Sequence, residues 1–298
     1  MTDIRPRHLP ELAPHATDPL VEHIVLAIDG GPAAAAATRW VGARARSHVI
    51  DAELVHVVPD GTGGLASDGT PLPDGPTRPA ALHLARVAPS TEVTVRVLEG
   101  EPQRVLTARA ATADLVVLGT HRAAGSPHLV AAFATRFATS APCPTVVVPS
   151  GWRRSTGPIV CGVEGDGSDA AAVEFAAREA EVEHQELVLV HSWRLAPVVW
   201  PALEIDQEGH AIPHGPSARL DAVADALRER HPTLHVVRVV ERGAAVRALL
   251  RAGRHGSLLV LGTHGVTLID RLLLGSVSRG VLERPVCPVA IVPPHRAA

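Results

Sequence analysis

Short, continuous apolar runs alternate along this chain with longer stretches whose apolar positions recur at helical spacing. In the first half the runs predict strands near 22–28, 50–58, 92–98, 114–118 and 144–148, with helices near 33–47, 78–88, 101–111 and 130–140. In the second half strands are expected near 158–163, 187–192, 234–240, 257–261 and 288–292, and helices near 168–183, 217–230, 243–254 and 276–283. Strand, helix, strand repetition with fully apolar strands predicts an α/β fold built on a parallel sheet with helices on both faces.

The two halves are written in the same order. His23-Ile-Val-Leu-Ala-Ile-Asp29 resembles Pro158-Ile-Val-Cys-Gly-Val-Glu164, and Glu53-Leu-Val-His56 resembles Val188-Leu-Val-His191. Asp114 to His121 resembles Ser257 to His264, and Ala141 to Pro149 resembles Pro285 to Pro293. Four ordered matches imply two homologous domains, each a five-stranded parallel sheet; the repeat unit is too long for a solenoid. The expected division is a mobile tail over 1–19, a domain over 20–150, a linker over 151–157 and a domain over 158–298. The linker is short and polar with glycines at both ends.

Composition narrows the function classes. Hydrophobic residues are 46% and aromatic residues only 2%, so the core is aliphatic. A net charge of −3, with no arginine patch interleaved with aromatics, argues against nucleic acid. Three scattered cysteines, Cys143, Cys161 and Cys287, do not form a disulfide framework. With no apolar leader and no apolar run of membrane length, the expectation is a cytoplasmic protein without a membrane partner.

One segment carries candidate chemistry. From Gly262 to Ser276 the chain reads GTHGVTLIDRLLLGS, between an apolar strand ending at Leu261 and a short helix beginning at Ser276. Glycines at the carboxyl end of a parallel strand admit a phosphate to backbone N–H groups, and a following helix start adds unpaired N–H groups.

The duplicated pattern resembles a tandem universal stress protein over nearly all of Glu22 to Pro293. The most specific element is G-x2-G-x9-G-S at Gly262, Gly265, Gly275 and Ser276, followed by a closing segment like the family's over Leu272 to Pro293. The resemblance implies an ATP site in many members, with magnesium as the accompanying cation, in a stress-response or signalling role with an unknown protein partner. It implies a nucleoside contact from the acid ending the first strand, an adenine wall after the second strand's histidine, and phosphates on the glycine motif. Carried over, these positions are Val163, Glu164, Ser192, Gly262, Thr263, His264, Gly265, Gly275, Ser276, Val277 and Ser278. The first half offers Asp29, Val57 and Gly119, but Arg122 replaces the second glycine, and Ala131-Ala132 or Ala132-Phe133 replaces Gly-Ser. Nucleotide is therefore expected mainly in the second domain, although Glu164 is one methylene longer than the family's Asp. By the same analogy the strands near 144–148 and 288–292 pair edge to edge as an intrachain pseudo-dimer; a further homodimer stays open. A nucleotide-independent interaction module with a decayed site is the second reading, and a slow ATPase the third.

Other motifs are weaker. Gly165-Asp-Gly167 lacks the third glycine of a dinucleotide fingerprint, Ala170 standing there. Ser276-Val-Ser-Arg-Gly280 lacks the leading glycine of a nucleophile elbow. His264 could activate water on a phosphate, but its expected role is a polar wall, and Asp166 could hold a metal or repel phosphate. His191, His210 and His214 with Glu204 and Asp206 lack zinc-ligand spacing. No Walker lysine is visible in the phosphate motif, so no catalytic residue is expected. Trp193 and Trp200 are expected to pack over the cleft.

Overall fold

The computed structural model describes residues 21–61, 75–120, 128–165, 167–193, 216–263 and 275–294. The first domain runs β1 (Glu22–Ala27), α1 (Pro32–Arg44), β2 (Ile50–Val58), α2 (Arg78–Val87), β3 (Glu92–Glu99), α3 (Pro102–Ala110), β4 (Leu115–Thr120), α4 (His128–Ser140) and β5 (Thr145–Pro149). The second repeats it with β6 (Ile159–Gly162), α5 (Ala170–Val182), β7 (Leu187–Trp193), α6 (Pro216–Arg230), β8 (Val236–Arg242), α7 (Ala245–Gly253), β9 (Leu258–Gly262), α8 (Ser276–Leu282) and β10 (Val289–Val292).

The strands form one ten-stranded sheet in the order β3-β2-β1-β4-β5-β10-β9-β6-β7-β8. Pairing is parallel within each half. Period-two alternation divides the core between the two faces. Ile24, Leu26 and Ile28 of the first strand region pack with α1 and α2 residues such as Ala37 and Leu84, whereas Val25 joins Leu106 of α3 and Phe137 of α4. In the second domain Ile159 and Cys161 face α5 and α6, and Val160 faces α7 and α8. Both faces are thus covered, which is why the central strands carry so few polar residues.

Helix starts follow local chemistry. Pro32 and Pro102 occupy the first turns of α1 and α3, where a missing N–H costs no hydrogen bond. The Glu101 carboxylate accepts from the N–H of Arg104 and caps α3. The helix expected through residue 47 instead ends at Arg44, whose carbonyl accepts from the N–H of both Ser47 and His48.

Two features join the domains. The expected edge-to-edge pairing is present: β5 and β10 are antiparallel, with Val147 opposite Val289 and Val146 opposite Ala290, all buried. This pairing removes two apolar edges; the remaining edge strands, β3 and β8, carry exposed charged positions such as Arg96 and Arg238. The second feature is Arg44, only 5% exposed, which donates to Glu22 of its own domain at 2.6 and 2.9 Å and to Glu179 of α5 at 2.6 and 2.7 Å. Its guanidinium lies 5.5 Å from the Trp40 ring centroid. Ser47 donates to Glu183, and His48 lies 3.9 Å from Glu179.

Candidate functional site

In the second domain β6 lies between β9 and β7, and the chain leaves β6 toward β7 on one side while β9 stands on the other. The carboxyl ends of β6 and β9 therefore flank a topological switch point, where crevices form above open α/β sheets. The described walls of a cleft at that point come from Glu164 after β6, Ser192 of β7, Gly262 ending β9, and Val277 and Ser278 of α8. Val163 and Asp169 also border it, with Ala245 and Leu249 of α7. Residues separated by about a hundred positions in sequence thus meet at one place.

Each wall is fixed locally. The Val163 N–H donates to the Val190 carbonyl at 2.9 Å, extending the β6–β7 ladder by one residue. Its own carbonyl lies 2.7 Å from His191 Nδ1, so that nitrogen carries the proton and donates. His56 Nδ1 does the same to the Ile28 carbonyl at 2.7 Å in the first domain. His191 is 7% exposed and serves this clamp; among the described residues no group of side chains is arranged to hold a metal. Ser192 donates its hydroxyl to the Gly243 carbonyl at 3.0 Å. Thr263 N–H donates to the Val292 carbonyl at 3.1 Å, continuing the β9–β10 ladder. Ser278 is buried and donates to the Gly262 carbonyl at 3.3 Å. Its hydroxyl ties α8 to β9, so as a hydrogen-bond donor it serves the fold.

Gly275 precedes α8 with φ −56° and ψ 152°, and as the N-cap residue it offers no side-chain cap to that helix. The φ is negative, so Gly275 has no left-handed conformation to protect, and any need for glycine there comes from space. Ser276 is exposed at the first helical position. His264 and Gly265 lie outside the described residues, as do Arg122, Asp166, Trp200, Glu204, Asp206, His210 and His214. Ala131 and Ala132 fall within α4. Trp193 is half-buried, with the Arg242 guanidinium 5.8 Å from its ring centroid.

Asp169 escaped the sequence reading. It is 6% exposed, and its Oδ2 accepts from the N–H of Glu164 at 2.7 Å and of Gly165 at 3.1 Å. It braces the loop between β6 and α5. In the first domain the strand-end acid does the corresponding work: Asp29 Oδ1 accepts from the Gly31 N–H at 2.8 Å. The available signal for Asp169 was a Ser-Asp pair just before an apolar helix.

The two domains differ at the strand-four glycine. A Cβ built on Gly119 would lie 2.3 Å from the backbone of Ala33 in α1. At Gly262 the nearest atoms would be 3.7 Å away. The chain between β1 and α1 is short, residues 28–31, whereas that between β6 and α5 spans 163–169. The longer loop sets the start of α5 back from β9. Gly119 thus permits close packing of α1 on β4, and Val57 is half-buried against the α3 side of the core.

The cleft is small, about 40 Å³, against about 480 and 570 Å³ for cavities around the linker near Ser150 to Arg153. Position at the switch point, not size, singles it out, since the linker cavities lie away from the strand ends described above. The three thiols are buried; burial pushes Cys143 and Cys287 up to about 12 and raises Cys161 as well, with Asp114 adding to the shift at Cys143 and Asp169 at Cys161.

A family model described as the universal stress protein family matches residues 21–149 and again 156–293. The chain belongs to the universal stress protein family. One universal stress protein of Mycobacterium tuberculosis is 26% identical over 306 aligned positions, covering 90% of this chain and 94% of the relative. Another from the same species is 27% identical over 293 positions, covering 90% and 95%. Among solved structures, a Pseudomonas aeruginosa protein described as functionally unknown superposes with a TM-score of 0.64 at 13% identity, covering 92% of each chain. A universal stress protein from Archaeoglobus fulgidus gives 0.60 at 13% identity, covering 91% and 96%. At that identity the structural likeness establishes the tandem fold alone.

Proposed function

We propose that this universal stress protein binds ATP, as its magnesium complex, at the switch-point cleft of its second domain. The reading makes it a cytoplasmic regulatory binder, with nucleotide occupancy tuning contact with a protein partner, and assigns it no catalytic residue. The observation that carries it is the meeting of Glu164, Ser192, Gly262 and Val277 at the carboxyl ends of β6 and β9. Glu164 is exposed beside the cleft and would accept from ribose hydroxyls; Val163, Ser192 and Ala245 would wall the base. A bare polyphosphate would meet repulsion, because the Glu164 and Asp169 carboxylates both border the cleft. A cation on the phosphates offsets that repulsion. In the first domain α1 packs against Gly119 where the second domain leaves room beside Gly262, in keeping with a single site.

The second reading, an interaction module that needs no nucleotide, is favoured by the cleft's 40 Å³, which a nucleotide must widen or lie across. Affinity of full-length Glu164→Asp for MgATP separates them. The shorter acid restores the family's residue and should tighten binding up to about tenfold, ~1.4 kcal/mol. Identical, negligible binding by wild type and variant supports the module.

A further inference from the structure

A cavity of about 570 Å³ lies between the linker and the outer face of α1 and α2, away from the nucleotide cleft. Arg39 lines it from α1, Arg46 from the turn that follows α1, Arg153 and Arg154 from the linker, and His83 from α2, with Trp152 also in its wall. Four arginines from two separate segments line one space in a chain whose net charge is −3. No carboxylate lines the cavity among the described residues. Arg154 reaches Glu183 at 3.9 Å, a long contact; Arg39, Arg46 and Arg153 have no acidic partner among the described residues. All four are exposed, unlike the buried Arg44, which Glu22 and Glu179 neutralise, and the half-buried Arg109, which Glu53 neutralises. His83 already registers the local field: burial, then the Arg86 and Arg39 charges, hold its pKa below the usual 6.5.

Convergent, unneutralised arginines repel one another unless an anion joins them, and a guanidinium offers paired donors that match phosphate oxygens. The volume lies within the range of small-molecule sites. We propose that this cavity binds a soluble small molecule bearing two or more phosphate groups, held by Arg39, Arg46, Arg153 and Arg154, with Trp152 packing against its non-phosphate part. The site touches α1, α2 and the linker, so occupancy bears on the junction between domains. It is independent of the ATP reading for the second domain.

The test is calorimetric titration of the full chain with inorganic tripolyphosphate, with orthophosphate as the weaker-charge control. Wild type should bind tripolyphosphate at least tenfold more tightly than orthophosphate, with affinity falling as salt rises. Arg39→Ala/Arg153→Ala should lose at least tenfold while melting normally, and Arg39→Lys/Arg153→Lys should fall between. Arg104→Ala, at an exposed position of α3 outside the cavity, should bind tripolyphosphate as wild type does. Equal affinity for wild type and the double alanine variant overturns the proposal, as does no binding at millimolar tripolyphosphate. Co-sedimentation with vesicles containing a phosphoinositide, without binding of the soluble probe, also overturns the assignment to a soluble ligand.

Discussion

Replacing Arg44 by methionine keeps the length of the side chain but strands two carboxylates. Arg44 makes four charge-assisted hydrogen bonds, two to Glu22 and two to Glu179. The partners differ in their recourse to water. Glu22 is 18% exposed at its side chain and can rehydrate, whereas Glu179 is 7% exposed and among the described residues is left with His48 at 3.9 Å and the charge of Arg178. Burial alone would raise the Glu179 pKa, but the Arg44 charge and hydrogen bonds outweigh it and hold the carboxyl below its usual 4.5. Breaking a buried pair from one side typically costs about 3–5 kcal/mol. Arg44→Met should therefore lose that much, and Arg44→Met/Glu179→Leu should recover most of it, since apolar replacement of both partners is close to neutral. Urea denaturation followed by tryptophan fluorescence suits the assay, because Trp40 lies under the Arg44 guanidinium. A single variant within about 1 kcal/mol of wild type, or a double variant no better than the single, would show that Arg44 does not hold the two domains in this way.

The strand-four glycines should respond oppositely: Gly119→Ala forces a Cβ into the Ala33 backbone and should cost about 1–3 kcal/mol or more, while Gly262→Ala should stay within about 0.5 kcal/mol. Thermal melting of both variants checks this, and equal melting temperatures would contradict the packing difference. Stability should also fall in two stages on acidification. Burial, then the Arg44 charge, lowers the His48 pKa below 6.5, and His83 is lowered too, so the unfolded chain takes up protons first. The first loss should begin as pH drops below about 6.5 and end once it passes the folded values. Glu179 and Glu174, both held below 4.5, add a second loss from about pH 4.5 downward. A melting temperature flat from pH 7 to 5 in wild type, or a first stage unchanged in His48→Gln, would refute the assignment.

Much of the fold was legible because its strands are buried on both faces and so stand out as uninterrupted apolar runs, such as Leu258 to Leu261. The internal duplication then matched the elements of one half to those of the other, and the pairing of β5 with β10, expected from the family resemblance, is present. The end of α1 was misread by three residues because Ala45, Arg46 and Ser47 carry no breaker; the stop comes from Ser47 and His48 folding back on the Arg44 carbonyl. At the site, Gly262 was readable as a glycine closing an apolar strand, whereas Glu164 and Ser192 came from the family resemblance. The bracing role of Asp169 was not, because it depends on how the loop turns back on the N–H groups of Glu164 and Gly165. Nor did sequence spacing reveal that Ser278 spends its hydroxyl on the Gly262 carbonyl, or that Gly119 is a packing glycine. Those facts reside in distances between elements, which a linear pattern does not encode.

The central claim is a nucleotide site at the carboxyl ends of β6 and β9, and Gly275 tests it most directly. Its φ of −56° and ψ of 152° suit valine, so Gly275→Val should fold as wild type does, while the added branch crowds the start of α8. The measurement is calorimetric titration with MgATP and with adenosine, in an Arg39→Ala/Arg153→Ala background so that the linker cavity contributes at least tenfold less. The account predicts MgATP binding with glycine at 275, at least tenfold weaker binding with valine at an unchanged melting temperature, and adenosine far weaker than MgATP. A folded valine variant that binds MgATP normally, or glycine protein that binds none at millimolar nucleotide, would contradict it.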